Sequence, residues 1–129
     1  MDPTLRCPCL SGLTYGECCG RAHAGTPAAT AEALMRSRFS AFAVGDVDYL
    51  LHTWHPHTRP GSLELDPDLR WYRLDIEGTS AGGPLDRVGT VEFTAYYRSP
   101  DGKGTQHERS HFTRENGRWY YRDADPTIG

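Results

Sequence analysis

Val88-Gly89-Thr90-Val91-Glu92-Phe93-Thr94-Ala95-Tyr96-Tyr97-Arg98 is the stretch on which the fold turns. Its side chains alternate in kind. Val91, Phe93, Ala95 and Tyr97 fall on one face of an extended chain, and Thr90, Glu92, Thr94 and Tyr96 on the other. Pro100-Asp101-Gly102 follows at once, an Asp-Gly bend that sends the chain back. Thr105 to Arg114 is then the returning strand, and Asn116-Gly117 makes a second hairpin into Trp119-Tyr120-Tyr121-Arg122. Upstream, Leu69 to Glu77 reads as a further strand. Three or four antiparallel strands in sequence are therefore expected in the second half.

The first half has a different period. Ala31 to Val44 reads as a helix, with Leu34, Arg38, Ala41 and Phe42 on one face and Glu32, Arg36 and Ser40 leaning to the other. The short linker before it, Ala24-Gly25-Thr26-Pro27-Ala28, suggests Thr26 as N-cap with Pro27 in the first helical position. Gly45 ends the helix, and Asp46 caps a second one through Val47, Leu50, Leu51 and Trp54, stopped by His55-Pro56. Thr58 to Asp68, with Pro60, Gly61 and Pro67, reads as a loop. Helices first and antiparallel strands after them define an α+β layer fold.

A different chemistry occupies the N-terminus. The only four cysteines are Cys7, Cys9, Cys18 and Cys19. A chain held by disulfides spreads its cysteines so that bridges close long loops; these are crowded at one end. No charged-then-apolar leader is visible, so nothing points to an oxidising compartment. Neither pair has the C-x-x-C spacing of a redox dithiol. In an extended segment Cys7 and Cys9 point to the same side, and Gly12 and Gly16 allow the reversal that returns Cys18 and Cys19. Four thiolates suit tetrahedral zinc in a structural site without a vacant position. The expected ligands are Cys7, Cys9, Cys18 and Cys19, with His23 as the reserve should strain between the adjacent cysteines exclude one.

Cys7-Pro8-Cys9-Leu10-Ser11-Gly12, Tyr15 and Cys18-Cys19-Gly20 resemble the SEC-C motif, the zinc-binding element at the tail of the SecA translocation ATPase and in many bacterial proteins. Thr30 to Phe42, with Asp48-Tyr49-Leu50 and Thr53-Trp54-His55-Pro56, resembles the YchJ family. Together the similarities run from Cys7 to Asp125. They imply a SEC-C knuckle over residues 1–25 and, over 26–129, a domain similar to nuclear transport factor 2, in which a strongly bent antiparallel sheet wraps helices as a cone. They imply a fold and a zinc ion, not a reaction. In the SecA tail glycine stands where Leu10 is found, and lysines where Leu13 and Thr14 are found. Their loss here puts a role in meeting an acidic partner in doubt.

Charge and size narrow the functions. At 14.4 kDa the chain can bury one core, whereas a knuckle of this length needs metal to fold. A formal net charge of -3 argues against a general nucleic-acid binder. No apolar run is long enough to span a membrane, and the protein is expected to be soluble and cytoplasmic.

Cone-shaped folds of this kind enclose a cavity, and the candidates for it are Arg38, Glu92, Glu108, Ser110 and His111. Along their strand Glu108, Ser110 and Phe112 share the face expected to point inward, and His107, Arg109 and His111 the other. Glu108 beside Ser110 in an apolar cavity could serve as a base; alternatively Glu108 pairs with Arg38 and fixes helix against sheet. His52, His55 and His57 are better read as helix-end residues than as a second metal site. Two functions follow. One is a zinc-containing binding or adaptor module, meeting a protein partner through the knuckle and open to homodimerisation through the sheet. The alternative is a small pocket enzyme, isomerase- or dehydratase-like, using Glu108 or His111.

Overall fold

The alternating stretch becomes the second strand of a four-stranded antiparallel sheet. A computed structural model describes residues 2–125. In chain order it contains α1 (Cys19–His23), α2 (Ala31–Val44), α3 (Val47–His52), β1 (Arg70–Ala81), β2 (Val88–Ser99), β3 (Gly102–Glu115) and β4 (Arg118–Ala124). The strands lie side by side in the order β1-β2-β3-β4. This is the α+β architecture expected. Strand β1 runs beyond Glu77 because Gly78, Thr79 and Ser80 are paired with Glu92, Val91 and Thr90, a support that their small polar side chains do not advertise. Register shifts interrupt β1 at Trp71/Arg73 and Ile76/Gly78, and each such bulge bends and twists its strand.

The inward face of β2 carries Val91, Phe93 and Ala95, all buried, as the alternation requires. Across it Phe93 is paired with Glu108 and Val91 with Ser110. The core closes where these residues, with Leu74, Phe112 and Trp119, meet Ala31, Leu34, Met35 and Phe39 of α2. Burial of this apolar surface drives the docking of the helix on the sheet. Segment 53–55 lies beside β4: Tyr121 N donates to Thr53 O (2.8 Å) and His55 N to Tyr121 O (2.7 Å).

Two expectations for α2 are corrected. Its N-cap is Thr30, not Thr26: the Thr30 backbone is extended and its side-chain oxygen accepts from Ala33 N at 3.0 Å. Ala31 N donates to Gly82 O (3.0 Å), which ties the helix start to the end of β1 and leaves Pro27 outside the helix. Ser40, expected on the open side, is fully buried, and Ser37 with it. The reason is that α2 has two covered sides, sheet on one and N-terminal knuckle on the other. The C-terminal end follows the reading: Gly45 adopts a left-handed φ of 80°, and Asp46 caps α3 by accepting from Tyr49 N.

Phe39 sits at the centre of the helix–sheet contact with only 2% of its surface exposed. Phe39→Ala should lower stability by about 3–5 kcal/mol. Denaturant titration would show this as a fall in midpoint with an unchanged slope.

Candidate metal centre

The two ends of the N-terminal segment are brought together by backbone bonds. Cys7 N donates to Leu13 O, Tyr15 N to Leu5 O, and Leu10 N to Cys7 O. These place Cys7 and Cys9 on the inside of a tight reversal. The chain then turns at Cys18, whose φ of -123° and ψ of -111° belong to no regular element, and enters α1 at Cys19. Gly20 makes the turn feasible: a Cβ there would lie 2.6 Å from Tyr15 O, whose carbonyl accepts from the Gly20 N–H.

All four cysteines are free, and their sulfurs lie within 4.8 Å of one another. Cys9 Sγ is 3.6 Å from Cys18 Sγ, and Cys18 Sγ is 3.9 Å from Cys19 Sγ. Tetrahedral bonds of about 2.3 Å to one zinc ion would set sulfurs about 3.8 Å apart. The donor set therefore fits a four-thiolate ion, and adjacency does not keep Cys18 and Cys19 from sharing it.

The electrostatics of the cluster point the same way. Hydrogen bonds from Cys19 and then Cys9 hold the Cys7 thiol far below the ordinary thiol range. Cys19 is pushed far up, because it donates to Cys7 and then to Cys9, and burial adds to this. The same crowding sets Cys9 at about 11: Cys19 pulls it down, but Cys7 and burial outweigh that. Close thiols thus share protons around one favoured thiolate. A divalent cation removes the obstacle to ionising the rest.

Groups outside the cysteines complete the centre. Ser11 Oγ donates to Cys18 Sγ at 3.2 Å, and the Ser40 hydroxyl lies 3.5 Å from Cys7 Sγ. Arg36 Nη1 donates to Cys9 O (3.1 Å), bringing a positive charge to a site whose thiolates would exceed the charge of a divalent ion. His23, the reserve ligand, is committed elsewhere. Its Nε2 faces Ser37 O at 2.8 Å and so carries the proton; Nδ1 then accepts from the Tyr15 hydroxyl. It fastens the knuckle to α2. Sequence reasoning missed this clamp and the hydroxyls around the sulfurs. The one signal was Ser40, a poor helix former in the middle of a buried helix; the clamp uses the backbone carbonyl of Ser37, which no residue type announces.

The remaining candidates divide between two faces of the sheet. Arg38, Glu108 and Ser110 line one cavity of about 290 Å³ between α2 and the sheet. Glu92 and His111 are not brought to it: Glu92 Oε2 lies 2.9 Å from His107 Nε2, and His111 Nε2 lies 2.6 Å from Asp125 Oδ1. The expected Arg38–Glu108 pair is absent among the described residues. Arg38 Nη1 instead donates to Leu50 O (2.8 Å) and Thr53 Oγ1 (2.7 Å), acceptors at the end of α3, while Glu108 accepts from Gln106 Nε2. Among the described residues His52, His55 and His57 do not converge as ligands; His55 is buried and contacts Glu115 at 3.1 Å.

Fold and site together define a domain like nuclear transport factor 2 carrying a SEC-C cysteine knuckle. The SEC-C motif matches residues 4–21, and the YchJ middle, nuclear-transport-factor-2-like domain matches residues 30–124. The chain belongs to the YchJ-like family, whose curated relatives are UPF0225 proteins. That of Corynebacterium efficiens is 56% identical, covering 96% of this chain and 95% of its own. That of Streptomyces coelicolor is 53% identical, with 95% and 97% covered. Among solved structures, a SEC-C motif containing protein from Rhodopseudomonas palustris superposes with a TM-score of 0.80 at 36% identity, covering 95% of this chain and 98% of that one. Another from Psychrobacter arcticus gives 0.76 at 30%, covering 100% and 86%.

His23→Phe separates clamp from ligand. Metal content per chain should be unchanged by elemental analysis, while stability falls by about 1–3 kcal/mol as Ser37 O and the Tyr15 hydroxyl lose their partner. Loss of the metal would return His23 to the ligand set.

Proposed function

We propose that the four cysteines hold a structural zinc ion, and that the knuckle so stiffened is an adaptor tip that engages a protein partner through exposed leucines. The observation that carries this reading is Leu10. It occupies left-handed backbone space, with φ of 63°, where a side chain other than glycine is strained by about 1–2 kcal/mol. It is nonetheless a leucine, and 45% of its surface is exposed. Leu13 (49%) and Leu5 (53%) are exposed on the same short segment. Neither local geometry nor core packing accounts for a large apolar side chain at Leu10. Contact with a partner does.

Zinc supplies rigidity here rather than catalysis, since four thiolates leave no position for water or substrate. Soft thiolate ligands in a tetrahedral arrangement favour it over harder cations. A partner that accepts this tip has an apolar groove or patch rather than an acidic surface. The pocket-enzyme reading has less support, because the polar groups at the cavity form no nucleophile–base–orienter chain: Glu108 is engaged by Gln106, and His111 lies on the other face.

Elemental analysis of untagged protein should give one zinc per chain, lost on changing Cys7 and Cys18 to serine. Leu10→Gly with Leu13→Ser should leave zinc content and fold intact, since it relieves strain and touches no sulfur. Crosslinking in the native host should then show a partner joined to the wild-type chain and absent from this variant. Identical crosslinks from both chains would remove the leucine tip as the contact.

A further inference from the structure

We propose that the cavity between α2 and the sheet is a binding site for a small carboxylate with an apolar, preferably aromatic, body. The inference is independent of the zinc reading. It begins from a deficit of acceptors. Arg38 is buried, with 3% of its surface exposed, and among the described residues no carboxylate lies within 4.0 Å of it. Both of its hydrogen bonds leave from Nη1. Its remaining compensation comes from π-faces: the guanidinium carbon is 4.6 Å from the Tyr121 ring centroid and 5.4 Å from that of Trp54. Burial lowers its pKa only to about 10, so the group stays cationic at neutral pH.

A second, independent deficit belongs to a residue that lines the same cavity. Trp54 Nε1–H is buried and has no acceptor among the described residues. Trp54 and Arg38 both line this space, with Phe39, Phe42, Trp71 and Phe93 supplying apolar walls. A buried cation without an anion and a buried donor without an acceptor, side by side, call for one ligand bearing negatively charged oxygens. The aromatic walls call for an apolar body behind them. The volume of about 290 Å³ limits that body to roughly one ring or a short branched chain. Glu108 belongs to the mouth: it is half-buried, and the Gln106 that binds it is exposed. There its charge opposes an incoming anion, tempering affinity without touching the fold.

The test uses the full-length, zinc-loaded chain labelled with ¹⁵N and titrated with benzoate, with benzyl alcohol as the uncharged control. Benzoate should move the Trp54 indole N–H resonance saturably, and benzyl alcohol should not. Glu108→Gln removes only the mouth charge and should fold normally; benzoate should then bind severalfold more tightly. Arg38→Lys keeps a charge but loses the planar fork, and should weaken binding by about tenfold. The inference fails if the Trp54 indole is unmoved at saturating benzoate. It fails equally if benzyl alcohol binds as well as benzoate, or if Glu108→Gln weakens benzoate binding, since loss of a like charge at the mouth of an anion site cannot weaken it.

Discussion

Helix α2 lies between two neighbours of opposite character, and the rest of the molecule is arranged around that constraint. Against the sheet it offers Leu34, Met35 and Phe39, which join the apolar core. Against the knuckle it offers Ser37, Ser40 and Arg36, which meet a histidine, a sulfur and a backbone carbonyl. A helix hydrophobic on one stripe can satisfy one neighbour; this one satisfies the second with the Ser37 carbonyl, the Ser40 hydroxyl and the Arg36 guanidinium. Its placement then fixes much else. The start is held by Gly82, the far end turns sharply at Gly45 into α3, and Arg38 reaches the carbonyl of Leu50 from the side.

The same constraint explains which parts of the structure could be read in the chain. The strands were legible because period-two alternation at Val88–Arg98 and the Asp-Gly and Asn-Gly bends are local signals with a direct steric basis. So were the end of α2 at Gly45 and the cap at Asp46. The four cysteines were legible because sulfur chemistry leaves few other uses for such a cluster. Thr26 was misleading because local sequence offered two threonines near the helix start, and a bond from Ala31 to the distant Gly82 favours Thr30. Ser40 was misread because helical periodicity describes one buried face and cannot announce a second.

Long-range pairing was the least legible level. Arg38 and Glu108 share a cavity, as their faces suggested, but they do not share a bond. The guanidinium found oxygen acceptors at the end of α3, and an ion pair would have had to compete with them while both groups were being dehydrated. His23 shows the converse. Spacing alone made it a ligand in waiting, whereas the tautomer imposed by Ser37 O makes it a strut. Only the partner at each nitrogen distinguishes these roles.

The seam between knuckle and helix is built from groups that water can replace. The Ser40 hydroxyl, the Arg36 guanidinium and the His23 imidazole would each find solvent partners if the knuckle swung away. The helix–sheet core has no such alternative. Unfolding should therefore proceed in two stages, with the N-terminal segment released first and the sheet persisting beneath it. The cysteine knuckle is in this sense a removable fitting: its attachment orients it firmly, yet the fold below does not rest its weight on it.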